Sequence, residues 1–142
     1  MGAEGMVHAL ERIKDYLQPG GLLIDIHPSG EPPPIDVRLG TAIHRVGWVA
    51  EEDDYEEYAQ ADEALAEAVR RGWYTVRQTE RFAFTTYADN MDDLLTHLAN
   101  TWEDAIISER MIQQANDWLN SIEPDREIIL REWIKMSCLQ KV

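Results

Sequence analysis

The sequence predicts an α/β fold, and three features carry that prediction. Ala9 to Pro28 reads ALERIKDYLQPGGLLIDIHP, an amphipathic helix followed by a Pro-Gly-Gly turn and a short apolar strand. Further along, segments with apolar residues at helical spacing alternate with segments where they recur at every second position. With 142 residues, 44% of them apolar and five Trp among them, the chain is long enough for one domain, 1–142, with a packed core.

The elements follow in order. Met6, Leu10, Ile13 and Leu17 form one helical stripe, with Glu11, Arg12, Lys14 and Asp15 opposite it. Pro19-Gly20-Gly21 ends the helix, because proline cannot continue it and glycine accepts the positive φ of a turn. Leu22, Leu23, Ile24 and Ile26 form a nearly continuous apolar run, the pattern of a strand buried on both faces in a parallel sheet. Pro28 to Pro34, PSGEPPP, is an exposed, stiff loop. Ile35 to Leu39 and Ala42 to Ala50 read as a β-hairpin turning at Gly40-Thr41, with Ala42, Val46, Trp48 and Ala50 on one face, interrupted by His44. The acidic stretch Glu51 to Glu57 marks the first turn of a helix, where Asp53 or Asp54 can cap free N–H groups. That helix runs from about Asp54 to Arg71 with Tyr58, Leu65 and Val69 on its apolar stripe, and stops at Gly72. Thr75 to Tyr87 is a long strand with Phe82 and Phe84 on one face. Asn90 caps a helix carrying Met91, Leu94, Leu95, Leu98 and Trp102, and Ser108 caps another through Met111, Ala115 and Leu119. Glu127 to Leu139 is the last strand, with Ile128, Leu130, Ile134, Met136 and Cys138 on one face and Glu132 among them.

Charge narrows the function classes. The formal net charge is −14, from 27 acidic and 13 basic side chains. Acid on this scale repels phosphate backbones and anionic lipid, so neither nucleic acid nor a membrane surface is an expected partner. No apolar run approaches the ~20 residues of a membrane-spanning helix. The start, MGAEGMVHALERIK, lacks the basic and apolar regions of a secretory signal. The single Cys138 excludes an internal disulfide and a multi-cysteine metal site. A reducing cytoplasm is the expected location.

The stretch ALERIKDYLQPGGLLIDIHP resembles the step into the fifth strand of class I S-adenosylmethionine-dependent methyltransferases. That family has a seven-stranded, Rossmann-like sheet, parallel apart from its last strand. The resemblance implies a partial sheet of this kind, with Leu22 to Ile26 as the fifth strand, Thr75 to Tyr87 as the sixth and Glu127 to Leu139 as the antiparallel seventh. The 35–50 hairpin and the helices between Asn90 and Ser121 would then be additions of the kind that shape an acceptor pocket. The family holds its cofactor on a glycine-rich turn after the first strand, and a carboxylate ending the second strand takes the ribose hydroxyls. This sequence has neither, so no cofactor-binding residue is transferred to it, and S-adenosylmethionine is expected only if the missing half is supplied. The chain thus reads as a truncated, C-terminal half of such an enzyme.

Chemistry-bearing candidates are few. Ligands of open α/β sheets sit beyond the carboxyl ends of parallel strands, which points to Asp25 and His27. His27 can act as a base near neutral pH, or simply end the strand and bond a nearby carbonyl. Asp25 can pair with an arginine or cap a turn. Asp62 lies on the apolar stripe of its helix and needs a partner there, with Arg38, Arg45 or Arg81 as candidates. His8, His44 and His97 show no metal-ligand spacing, and no metal site is expected. The five Trp read as core and interface anchors, because no basic stripe accompanies them.

Two functions compete. In the first, the chain is not catalytic alone and contributes acceptor-side surface to an assembly whose other chain binds the cofactor. In the second, it is a non-enzymatic, self-associating interaction or ligand-binding domain. A misplaced start, making the chain a fragment of an intact methyltransferase, is the third possibility. Under either of the first two, a homo-oligomer or a cofactor-binding partner chain is expected, because the strand at Leu22 to Ile26 would otherwise expose a free edge.

Overall fold

The structure, a computed structural model, describes residues 2–142. In chain order it contains α1 (Ala3–Tyr16), β1 (Leu22–Pro28), β2 (Pro34–Leu39), β3 (Ala42–Trp48), β4 (Ala50–Glu51), α2 (Glu56–Arg70), β5 (Tyr74–Ala88), α3 (Met91–Thr101), β6 (Ala105–Ile106), α4 (Glu109–Leu119) and β7 (Arg126–Lys141). The α/β class is as expected. Strand β7 pairs with β1, β2 and β5, and β2 pairs with β3. Two compact units share the chain: Met1–Gly30, Tyr55–Phe82 and Trp133–Val142 make the first, Glu31–Asp54 and Ala83–Glu132 the second.

The first unit is built on the Pro-Gly-Gly turn. Gly20 takes φ +79°, and a side chain on Gly21 would bring its Cβ to 2.8 Å from the Gln18 carbonyl oxygen, so the two glycines let α1 turn straight into β1. The turn is also tied to the end of β7, since Gly20 N donates to Lys141 O at 3.1 Å and Lys141 N to Gly21 O at 2.9 Å. Leu65, Ala68, Tyr74 and Leu139 form the buried core, with Leu10, Leu17 and Leu23 packed against it. The Tyr74 hydroxyl reaches into α1 and donates to Leu10 O at 2.8 Å, which satisfies its one polar atom in the core.

Strand β1 departs from the parallel strand buried on both faces that its apolar run suggests, while an antiparallel partner in β7 and an open edge are what the resemblance implies. It pairs antiparallel with β7, from Leu22↔Gln140 to Pro28↔Ile134, and β7 is its only strand partner among the described residues. It is also not buried on both faces. Leu23, Asp25 and His27 share a face with Leu139, Ser137 and Lys135, where the helical layer covers them. Leu22, Ile24 and Ile26 lie on the other face and are 55%, 58% and 59% exposed. The run looks continuous because Leu23 of the covered face stands between Leu22 and Ile24 of the bare one; Asp25 and His27 make the rest of the covered face polar.

The start of α2 also departs from the expected cap. Its N-cap is Tyr55 in the left-handed region (φ 64°), with no side-chain cap bond, and Asp54 before it also has positive φ. Glu56 and Glu57 supply the negative charge in the first turn.

The second unit encloses its own core. Ile35 and Val37 of β2 and Ile128 and Leu130 of β7 face Met91, Leu94 and Leu98 of α3 and Ala115 and Leu119 of α4. Both expected caps form: Asn90 Oδ1 accepts from Asp93 N at 2.8 Å and Ser108 Oγ from Met111 N at 3.2 Å. The hairpin β2–β3 turns at Gly40 and carries a register shift at Ile35/Asp36. That shift breaks the simple alternation expected of β3: Val46 is buried and Trp48 is 55% exposed. The two-residue strands β4 and β6, which pair with each other, were not foreseen because two residues show no period.

None of the five Trp is fully buried, although Trp73 and Trp102 pack against the two cores, so the reading as core anchors holds for these two alone. Three of the five carry cations on their faces: Trp48 under Arg45, Trp73 under Lys14 and Arg71, and Trp133 under Arg81. Trp118 stacks on His44 with ring centroids 3.7 Å apart, and Trp102 donates from Nε1 to Glu51.

Candidate functional site

The three residues singled out from the sequence, Asp25, His27 and Asp62, meet at one point of the first unit. Alternation along β1 puts Asp25 and His27 on the same face of the strand, two residues apart. His27 Nδ1 lies 2.5 Å from Asp25 Oδ2. Its Nε2 lies 3.0 Å from Oδ1 of Asp62, which α2 presents above that face. A fourth residue completes the group. Lys135 sits directly opposite His27 in the β1–β7 register, and its Nζ donates to the same Asp62 Oδ1 at 2.9 Å.

The expected arginine partners of Asp62 are engaged elsewhere. Arg38 bonds Asp125, Glu127 and the Gly40 carbonyl, Arg45 pairs with the buried Asp36, and Arg81 lies over Trp133. Lys135, 73 residues further along the chain, takes their place. Lys135 gave no signal in the sequence, because only the antiparallel register brings it opposite His27.

The electrostatics of the group follow from its geometry. A neutral imidazole has one N–H, whereas each His27 nitrogen here faces a carboxylate, which calls for a proton on both. The hydrogen bond that His27 donates to Asp25 is the largest cause holding the His27 pKa above its ordinary value. Burial of the ring works against it, and the charges of Asp25 and Asp62 and the Asp62 bond add to it. With His27 protonated, two carboxylates, one imidazolium and one ammonium sum to zero. The side chain of His27 is 10% exposed, so the charged ring is largely out of water and depends on these partners. In this state the ring offers no free lone pair. It is a charged tie between strand and helix, and an acid only if one carboxylate moves away.

Other charged groups are placed differently. Glu132, half-buried on β7, has its carboxyl pKa raised, chiefly by burial and against the opposing influence of His97. The carboxylates of Glu51, Asp53 and Asp104 lie within 4.8 Å of one another. Glu51 is already held by the Trp102 indole, and Asp53 and Asp104 are open to solvent. Gly2 and Gly5 lie at the N-cap and first turns of α1, so these glycines form helix and not a strand-to-helix turn that could approach a cofactor. Cys138 is a free, partly buried thiol on β7.

No helix is long and apolar enough to cross a membrane among the described residues. Comparison with protein-family models, with curated proteins and with solved structures finds no match for this chain.

Proposed function

We propose that this chain is a methyltransferase-like assembly module that does no chemistry alone: it self-associates, and it contributes acceptor-side surface where cofactor-binding elements are supplied by another chain or another segment. One observation carries the reading. Strand β1 has a single strand partner among the described residues, and the side chains of Leu22, Ile24 and Ile26 stand more than half exposed on one face. Across the β1–β7 register, the same face continues through Ile134, Met136, Cys138 and Gln140, and Arg77 of β5 donates to Gln140 Oε1 at its end. A largely apolar face beside an open strand edge, on a chain of net charge −14, is a surface to be covered.

Two further features support the methyltransferase-like build. The segments that carry the resemblance, α1, β1, α2, most of β5 and the end of β7, fall in one compact unit, and the hairpin and the helices α3 and α4, read as additions, fall in the other. Strand β7 runs antiparallel to β1, as the last strand of that family does to the fifth.

The Asp25–His27–Asp62–Lys135 group then has a positioning role. It fixes α2 to the carboxyl end of β1, the end where the resemblance implies acceptor-side surface, without offering a free base. Calorimetric titration with S-adenosylmethionine tests the non-catalytic part: no measurable heat is expected from the purified chain, and a low-micromolar dissociation constant would overturn it.

A further inference from the structure

The charged group borders a pocket of about 320 Å³ between α2 and the strands β5 and β7. Leu65 and Val69 line it from α2, Val76 from β5 and Leu139 from β7. Asp62, Lys135 and Ser137 supply polar atoms to the same lining. The volume lies near the low end of the ~300–1,000 Å³ range of small-molecule sites.

Ser137 and Lys135 give the otherwise apolar pocket one polar end. Ser137 is 6% exposed, yet its hydroxyl takes part in no hydrogen bond among the described residues and borders the pocket. No fully buried side-chain polar atom lacks a partner among the described residues, so this hydroxyl is the part of Ser137 that opens to the pocket, where a ligand or water can bond it. Beside it, the Lys135 ammonium has three N–H donors and uses one, toward Asp62. Both bonds to Asp62 land on Oδ1, which leaves Oδ2 as an acceptor.

We propose that this pocket binds a small uncharged molecule with an apolar body and one hydrogen-bonding end, a hydroxyl or a carbonyl, which meets the Ser137 hydroxyl and Lys135 Nζ. The apolar body lies against Leu65, Val69, Val76 and Leu139. The ligand is uncharged because the neighbouring side chains already balance: two carboxylates face an imidazolium and an ammonium. A ligand charge of either sign would stand unpaired at a partly buried site. This inference is independent of the methyltransferase-like reading and of self-association, since every lining residue belongs to one unit of one chain.

The test is a titration of the full, isotope-labelled chain with 1-hexanol, followed by amide chemical shifts, with hexanoate and hexylammonium as charged probes of the same length. Saturable shifts are expected in residues 62–69 of α2 and 135–139 of β7. The alcohol should bind at least about tenfold more tightly than either ion, which would have to leave a charge unpaired. Ser137→Ala should weaken hexanol by about threefold or more, the share of one net hydrogen bond. Val76→Trp, at a position 54% exposed and tolerant of size, should fill the pocket and abolish binding while the remaining amide spectrum persists. Shifts that do not saturate, equal affinity for the ions, or binding unaltered by both variants would overturn the proposal. Should Val76→Trp fail to fold, Ser137→Ala alone decides the polar end, because loss of a hydroxyl leaves the strand intact.

Discussion

His27 Nδ1 and Asp25 Oδ2 are 2.5 Å apart on the same face of β1, and the opposite nitrogen of the same ring meets Asp62 on α2. This makes a histidine the joint between a strand and a helix, charged when the joint is closed. The His27 pKa is raised above its ordinary 6.5, with the Asp25 hydrogen bond as the leading cause. Its contribution to stability is therefore fully present below about pH 6.5 and is lost as pH rises through the folded-state value. Ring-proton NMR should show a His27 midpoint above 6.5, moved down by Asp25→Asn. A midpoint at or below 6.5 in the wild type would contradict the closed joint.

Removing Asp62 leaves both His27 Nε2 and Lys135 Nζ without their carboxylate. With the Asp62 side chain 37% exposed, water softens the loss, and Asp62→Ala should cost about 1 kcal/mol near neutral pH. The cost should shrink at higher pH as His27 loses its proton. Denaturant melts at two pH values on either side of the His27 midpoint check this, and a pH-independent cost would show that the pair Asp62–Lys135 acts alone.

Glu132 behaves in the opposite sense to an ordinary surface acid. Burial raises its folded-state pKa above 4.5, so its contribution to stability is present below that value and is lost as pH rises through the raised one. Glu132→Gln, which cannot ionise, should therefore melt higher than wild type at neutral pH, with the difference vanishing in acid. A wild type that stays the more stable at pH 7 would mean that the carboxylate has a compensating partner in His97.

Leu23 and Ile24 are neighbours in sequence with opposite fates in the structure. Leu23 packs against the core on the covered face, and Ile24 is 58% exposed on the bare one. Leu23→Asp places an unpaired carboxylate under the helices and should cost several kcal/mol, a large part of the ~5–15 kcal/mol that holds a domain together. Ile24→Asp should melt within a few degrees of wild type. Circular dichroism melts compare the two, and equal destabilisation would return β1 to the two-sided burial that its composition suggests.

That pair also shows what the sequence could and could not reveal. Helix limits were legible, because Asn90 and Ser108 carry local cap chemistry and Pro19-Gly20-Gly21 carries local turn chemistry. Asp25, His27 and Asp62 were legible as separate oddities, polar residues where an apolar pattern predicted none. Their convergence was not, since it depends on where α2 crosses β1. Lys135 and Ser137 were invisible because their significance arises only from the antiparallel register with β1. The apolar run at Leu22 to Ile26 misled for a related reason: composition records that Leu22, Ile24 and Ile26 are apolar, and whether their face is covered is a tertiary property. The register shift at Ile35/Asp36 likewise rearranged a face of the hairpin that simple alternation had assigned.

The most direct measurement is the mass of the chain in solution, by sedimentation equilibrium at micromolar concentration, for wild type and for Ile24→Asp. If the face of Leu22, Ile24 and Ile26 is an assembly surface, wild type should sediment as a stable multiple of the 16.4 kDa chain. The variant, equally folded, should sediment as one chain, since a carboxylate cannot enter an apolar interface unpaired. A wild type of single-chain mass, or a variant that associates as fully as wild type, would contradict the account.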